Sequence, residues 1–182
     1  MALFGLLPGG RHERVGFVLY NVAVGAARDP YYYERLGVPD TLDGRFDLVG
    51  LHVCLLIRRL RALPKPGAAV AQALFDAMFS DMDINLREMG VGDMNVARRV
   101  RAMWEAFHGR ATVYEAALAG GDPGEMEAAV ARNVWRGEPA PGAAAVSRIA
   151  LAHMAALEAT APGVLLKGTV TFASPAELLA AV

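Results

Sequence analysis

The chain has 182 residues, enough for one domain with an adequate core. Its formal net charge of -1 argues against a binder held electrostatically to nucleic acid, and its one cysteine, Cys54, excludes an internal disulfide and fits a reducing compartment. Hydrophobic residues reach 54% against 20% charged, a balance that hints at an apolar client or a membrane surface, although much of it is alanine.

Residues 1–10 are apolar, end in Pro8-Gly9-Gly10 and read as a loose lead-in with a peripheral membrane contact as one role. Arg11 to Arg28 reads as the first helix, closed by Asp29-Pro30 because proline disfavours a helical residue before it. Within it, Val15 to Ala27 is a 13-residue apolar run, well short of the roughly 20 residues that cross a bilayer. Arg11 and Arg14 precede it, so a signal-peptide core must be weighed, but the long charged lead and Asn21 favour a buried amphipathic helix. Tyr31 to Leu36 is a short helix or turn ending at Gly37, and three adjacent tyrosines cannot share a face.

Thr41 is a good N-cap for a helix reaching about Leu63. Leu42, Phe46, Val49, Val53, Leu56 and Leu60 form a stripe at helical spacing, and Leu48, Leu51 and Leu55 widen it. Only Asp43, Asp47, Arg58 and Arg61 remain as a polar band, so the helix belongs at the centre of a bundle. After the break at Pro64 to Gly67, a helix over 68–89 carries Phe75, Met78, Phe79, Met82, Leu86 and Met89 on one stripe, with Ile84 pointing away. Gly90-Val91-Gly92 is a turn, with Asp93 as the next N-cap. The helix from there to about Ala119 has its stripe at Val96, Val100, Met103, Phe107, Tyr114 and Leu118 and runs antiparallel to the last. Reflection through the turn brings Asp76 level with Arg110, and we expect Arg110 to pair with Asp76 or another nearby acid, because an unpaired arginine near the stripe would be costly to bury.

Asp122-Pro123-Gly124-Glu125 opens a helix to about Arg136. Ala143 to Thr160 follows, with Val146, Ile149, Ala150, His153 and Leu157 inward, and Pro162-Gly163 ends it. Leu165 to Phe172 is β-branched and apolar without a partner strand, so an extended segment packed on the bundle is expected. Ser174 to Glu177 is a capping box for a last helix. The chain thus reads as an all-α single-domain bundle of about six to seven helices with an extended C-terminal segment: a lead-in over 1–10, a helical domain over 11–173 and a C-terminal helix or tail over 174–182.

Chemistry-bearing patterns are sparse. His12, His52, His108 and His153 show no ligand spacing, and Glu105-x-x-His108 supplies only one arm of a helical di-iron site, so no metal or other cofactor is expected. No nucleophile elbow or phosphate loop occurs. Asp81 and Asp83 diverge on their helix, and a solvated acidic face is their bland reading. Methionines are dense around the hairpin, at Met78, Met82, Met89, Met94 and Met103, and methionine is frequent on surfaces that accept varied apolar partners.

FDAMFSDMDINLREMGVGD, followed by VARRVRAMWEAFHGRATVYEAAL and preceded by YYYERLGVPDTLDGRFDLVGLHVCLLIRRL, resembles the ubiquinol–cytochrome c chaperone family. The likeness runs from about Tyr31 to Phe172. It implies a non-enzymatic factor for assembly of the cytochrome bc1 complex that handles cytochrome b or an early assembly intermediate. It also implies a small helical partner protein and the ribosome exit region as contacts, although near-neutral charge argues against strong rRNA binding. The early start of the helical domain suggests a bacterial, cytoplasmic form, peripheral at the inner face of the membrane. We assign Asp81, Asp83, Ile84, Arg87, Glu88 and Met89, on the 79–93 hairpin, as the candidate client-binding surface, and Asp76 with Arg110 as a structural ion pair. The competing readings are a small helical enzyme or ligand carrier with a pocket under the hairpin, and a structural subunit without a client.

Overall fold

The computed structural model describes residues 10–180; Met1 to Gly9 of the expected lead-in, and Ala181 and Val182, lie outside the described residues. Those residues form an all-α domain of nine helices: α1 (Arg11–Ala27), α2 (Pro30–Glu34), α3 (Leu42–Arg61), α4 (Gly67–Glu88), α5 (Asp93–Gly120), α6 (Pro123–Val134), α7 (Ala143–Ala159), α8 (Pro162–Leu165) and α9 (Pro175–Ala180). The excess over six to seven comes from the short α2, α8 and α9.

The centre is α3. Its N-cap is Thr41, whose hydroxyl accepts from the Gly44 amide at 3.1 Å, and fourteen of its 20 residues are buried. Helices α1, α4, α5 and α7 pack around it, because a helix apolar on most of its circumference is satisfied only by neighbours on every side. Leu42, placed on the stripe by spacing, is instead 58% exposed at the first turn, where the chain enters the bundle. The apolar run in α1, with Val15, Leu19, Tyr20 and Ala23 buried, packs on α4 and α3. The crossing is close: a Cβ on Gly16 would lie 2.5 Å from the Ala73 carbonyl carbon. Among the described residues no helix is long and apolar enough to cross a membrane.

Local capping follows the sequence closely. Asp29 closes α1 and also caps α2, accepting from the Tyr31 amide at 2.9 Å. Asp122 accepts from the Gly124 amide at 2.8 Å. Ser174 and Glu177 bond reciprocally, at 3.1 and 3.3 Å. Of the three tyrosines, Tyr32 is buried and Tyr33 donates its hydroxyl to the Ala27 carbonyl at 2.7 Å.

Two expectations are corrected. Pro162 does not merely end α7; it stands at the start of α8, where its missing N–H costs nothing. Only the stretch after α8 is extended, and there Val170 and Phe172 pack on the core while the Ala173 carbonyl lies 3.0 Å from His153 Nε2. Arg59, one of the cations in the last turn of α3, also donates to the Leu157, Glu158 and Thr160 carbonyls at the end of α7, at 2.9, 3.4 and 3.3 Å.

Candidate functional site

Helix α5 has 28 residues, about 42 Å of length, and its two halves have different surroundings. The second half packs on α3 and α6, with Phe107, Tyr114 and Ala117 buried. In the first half Val96 alone is buried, with Met103 partly buried against the core. Between Phe79 and Ala106 just Leu86 and Val96 are buried, and both stand apart from the continuous core. The outer hairpin is therefore an arm, closed by one small apolar contact zone and an ordered turn.

That turn is built from backbone. The Gly90 amide donates to the Arg87 carbonyl at 2.9 Å and the Val91 amide to Leu86 at 3.1 Å, the paired bonds of a Schellman end. Gly90 has φ +79, a conformation glycine adopts without penalty. Gly92, not Asp93, is the N-cap of α5; Asp93 is the first helical residue, where its charge suits the dipole. Arg87 clamps the turn, donating from Nε to Asp83 at 2.6 Å and from Nη1 to Asp93 across the loop.

The sequence-assigned surface residues divide accordingly. Asp81 is tied down: it accepts the Tyr20 hydroxyl of α1 at 2.6 Å and the Asn85 side-chain amide at 2.9 Å. Burial and the neighbouring Asp81 carboxylate push the Tyr20 hydroxyl well above the usual tyrosine range, so it stays a donor. Asp83 and Arg87 neutralise each other, and Ile84 is half-buried. Glu88 and Met89 are exposed, and Glu88 has no ion-pair partner among the described residues. Met94, named in the methionine cluster, is 89% exposed, whereas Trp104, 45% exposed, had no signal because it sits off the buried stripe of α5.

Arg110 does not pair with Asp76. Asp76 accepts from Gln72 at 2.8 Å, whereas Arg110 Nη2 lies 2.9 Å from Asp47 Oδ1. By that point α5 has turned its inner face from α4 to α3, which a reflection through the turn cannot register. Asp47, expected in the polar band of α3, is 1% exposed and also accepts from Arg136 Nη2 at 3.0 Å. Burial raises the Asp47 carboxyl to about 6, and the two arginines only partly oppose it. Arg136 holds a left-handed backbone, φ 54, just past α6, and reaches Asp43 as well. This loop residue, with no helical period to flag it, completes the centre of the fold.

A groove of about 330 Å³ lies at the root of the arm, between α3, α4 and α5. Cys54, Ile57, Phe75, Phe107 and Leu118 contribute its apolar lining, with Arg58, Arg61, His108, Thr112 and Glu115 as the polar residues. Burial pushes the Cys54 thiol up to about 12, so it packs as an unreactive thiol rather than a nucleophile. His52 and His153, far apart in sequence, meet beneath the C-terminal segment with ring centroids 5.4 Å apart. Among the described residues no three His, Cys, Asp or Glu side chains gather as metal ligands.

Comparison with known proteins places this architecture. The family model described as ubiquinol–cytochrome C chaperone matches residues 34–172. A crystal structure of the Cbp3 homolog from Brucella abortus superposes with a TM-score of 0.82 at 31% identity, covering 92% of this chain and 93% of that one. Protein CBP3, mitochondrial, of Saccharomyces cerevisiae is 34% identical over 110 residues, and ubiquinol-cytochrome-c reductase complex assembly factor 1 of Xenopus laevis is 25% identical over 107. These matches take in 59% and 58% of this chain but only 32% and 50% of the two relatives, so the chain spans a third to a half of their length. With the match covering most of its length, from the α2–α3 region through the extended segment, the chain belongs to the ubiquinol–cytochrome c chaperone family.

Proposed function

We propose that this protein holds newly made cytochrome b, or an early intermediate containing it, during assembly of the ubiquinol–cytochrome c reductase complex, and that the client docks on the outer α4–α5 arm. The observation that carries the surface assignment is the pair Met89 and Met94, exposed at 54% and 89% on either side of the turn, next to Glu88, which has no ion-pair partner among the described residues. Flexible thioethers adapt to varied apolar segments. An acidic rim selects the basic flanks of a membrane helix and repels acidic ones. Asp81, Asp83, Ile84 and Arg87 then serve mainly to hold the arm in shape, through Tyr20 and Asp93. In this reading the protein works in the cytoplasm at the inner face of the membrane.

Deletion of the gene tests the assignment, with the level of the bc1 complex and the haem spectrum of cytochrome b as readouts. A normal complex in the deleted strain ends it. The surface is tested with Met89→Ser, Met94→Ser and Glu88→Lys combined, which leave every hydrogen bond of the turn intact. Recovery of cytochrome b with the tagged protein should fall severalfold while helicity and melting stay unchanged. Asp81→Lys is unsuited to this purpose because it removes the acceptor of Tyr20.

A further inference from the structure

The stretch between α8 and α9 is the one part of the C-terminal region that joins no helix. Over residues 169–173 it runs extended, with Val170 and Phe172 half-buried against the core and Thr169, Thr171 and Ala173 exposed. That alternation is the period of a strand with one face covered. Its main chain is unused. The amides of Val170, Thr171, Phe172 and Ala173 and the carbonyls of Thr169, Val170, Thr171 and Phe172 make no hydrogen bond among the described residues; only the Ala173 carbonyl is engaged, with His153 Nε2 at 3.0 Å. Proteins guard such an edge with charge or proline, and residues 169–173 contain neither. A groove of about 330 Å³ separates this stretch from Val22, Gly25, Ala26 and Asp29 of the α1 end. Its floor is open at Gly25, where a Cβ would meet nothing within 4 Å. The two ends carry opposite charge. Lys167 stands at the start, beside Arg11, and Asp29 and Glu177 stand at the finish. These residues have no ion-pair partner among the described residues, although Asp29 and Glu177 each accept one backbone amide at a helix start.

We infer that this groove takes an extended segment of another polypeptide, which adds to residues 169–173 as an antiparallel strand. In this mode main-chain hydrogen bonds supply the affinity and alternate side chains the specificity. The added strand lies about 4.8 Å from the resident one, over Gly25. Antiparallel pairing is the more stable per residue, and it fixes which end meets which. The occupant is therefore basic toward its amino end, facing Asp29 and Glu177, and acidic toward its carboxyl end, facing Lys167. The site uses no residue of the α4–α5 arm, so the inference stands independently of the client reading.

The test uses the full chain and a fluorescein-labelled designed peptide of about seven residues, matched to the length of the extended stretch. It carries lysine at the amino end, alternating valine and threonine, and glutamate at the carboxyl end. A second peptide has the two charges exchanged. Fluorescence anisotropy should show saturable binding of the first and at least about tenfold weaker binding of the second, since like charges juxtaposed in a contact are penalised. Two further peptides are N-methylated at alternate residues, one set for each edge of the strand. Methylation of the pairing edge should abolish binding, because it removes the donors of the ladder, and methylation of the other edge should leave it within about twofold. Gly25→Leu should block the peptide by filling the groove, with helicity and melting temperature undiminished, since leucine is the better helix former. Lys167→Glu should weaken the first peptide severalfold and restore one that ends in lysine. Failure of the first peptide to bind, equal tolerance of both methylated sets, equal binding of the exchanged peptide, or indifference to Gly25→Leu overturns the inference. Self-association of the chain that Gly25→Leu abolishes overturns it too, because a second copy would then be the occupant.

Discussion

The middle of α3 and the outer end of the α4–α5 arm are both helical, and both place carboxylates beside arginines, yet they use them oppositely. At the centre, Asp47 is removed from water and held between Arg110 and Arg136, so three elements depend on one charge. On the arm, Asp83 and Arg87 are 37% and 49% exposed in their side chains, and their pairing shapes one turn. The difference shows which part of the molecule is built for stability and which is available for contact. A buried pair penalises the loss of either partner, whereas a solvated pair contributes little and leaves its surroundings free to change.

The contrast breaks first, if it breaks, at the carboxylates. Asp47→Ala leaves Arg110 buried without a counter-charge and should cost about 4 kcal/mol in urea unfolding, against less than about 1 kcal/mol for Asp83→Ala. Equal costs would mean the two pairs are alike. The next largest effect concerns packing. Leu56, fully buried in α3, should cost about 3 kcal/mol as alanine. Hydrogen exchange sharpens the same point: amides between Met82 and Val100 should exchange at least tenfold faster than those of α3, through local opening of the arm. Gly16→Ala comes third, at about 2 kcal/mol, because the new methyl group must force α1 away from Ala73.

The smallest effect is the response to pH. Burial holds the His52 imidazole down at about 4 and lowers His153 too, so between about 4 and 6.5 the unfolded chain binds protons that the folded one refuses. Stability from these groups is therefore lost as pH falls through that window. Asp47 acts in the other sense, since its folded value of about 6 lies above the unfolded one and its protonation relieves a buried charge. Two histidines against one carboxylate should leave a net loss on the order of 1 kcal/mol between pH 7 and 5. Asp47→Asn should steepen this loss and His52→Gln should flatten it, as read from melting curves across that range.

Much of the secondary structure could be read from the chain. The caps at Thr41, Asp122 and Ser174 and the glycine turn at Gly90 involve groups within a few residues of one another, so local chemistry suffices to place them. The central role of α3 was likewise visible, because a helix apolar on most sides has one environment available to it. The site was less accessible. Asp81 looked like a free surface acid until Tyr20, 61 positions away, was seen to donate to it. Met94 and Trp104 carried no periodic signal, since exposed apolar side chains are those that fall outside the buried stripe.

By itself, then, the sequence determined that the chain is helical, where most helices begin and end, and which family it belongs to, since these depend on short-range patterns and residue identities. Only the tertiary structure decided that Arg110 faces Asp47 rather than Asp76, that Arg136 joins them, and that the first half of α5 buries little beyond Val96. Those outcomes follow from how helices cross and how far each is rotated when packed. Such rotations are set by many weak side-chain contacts acting together, and no single stretch of sequence contains them.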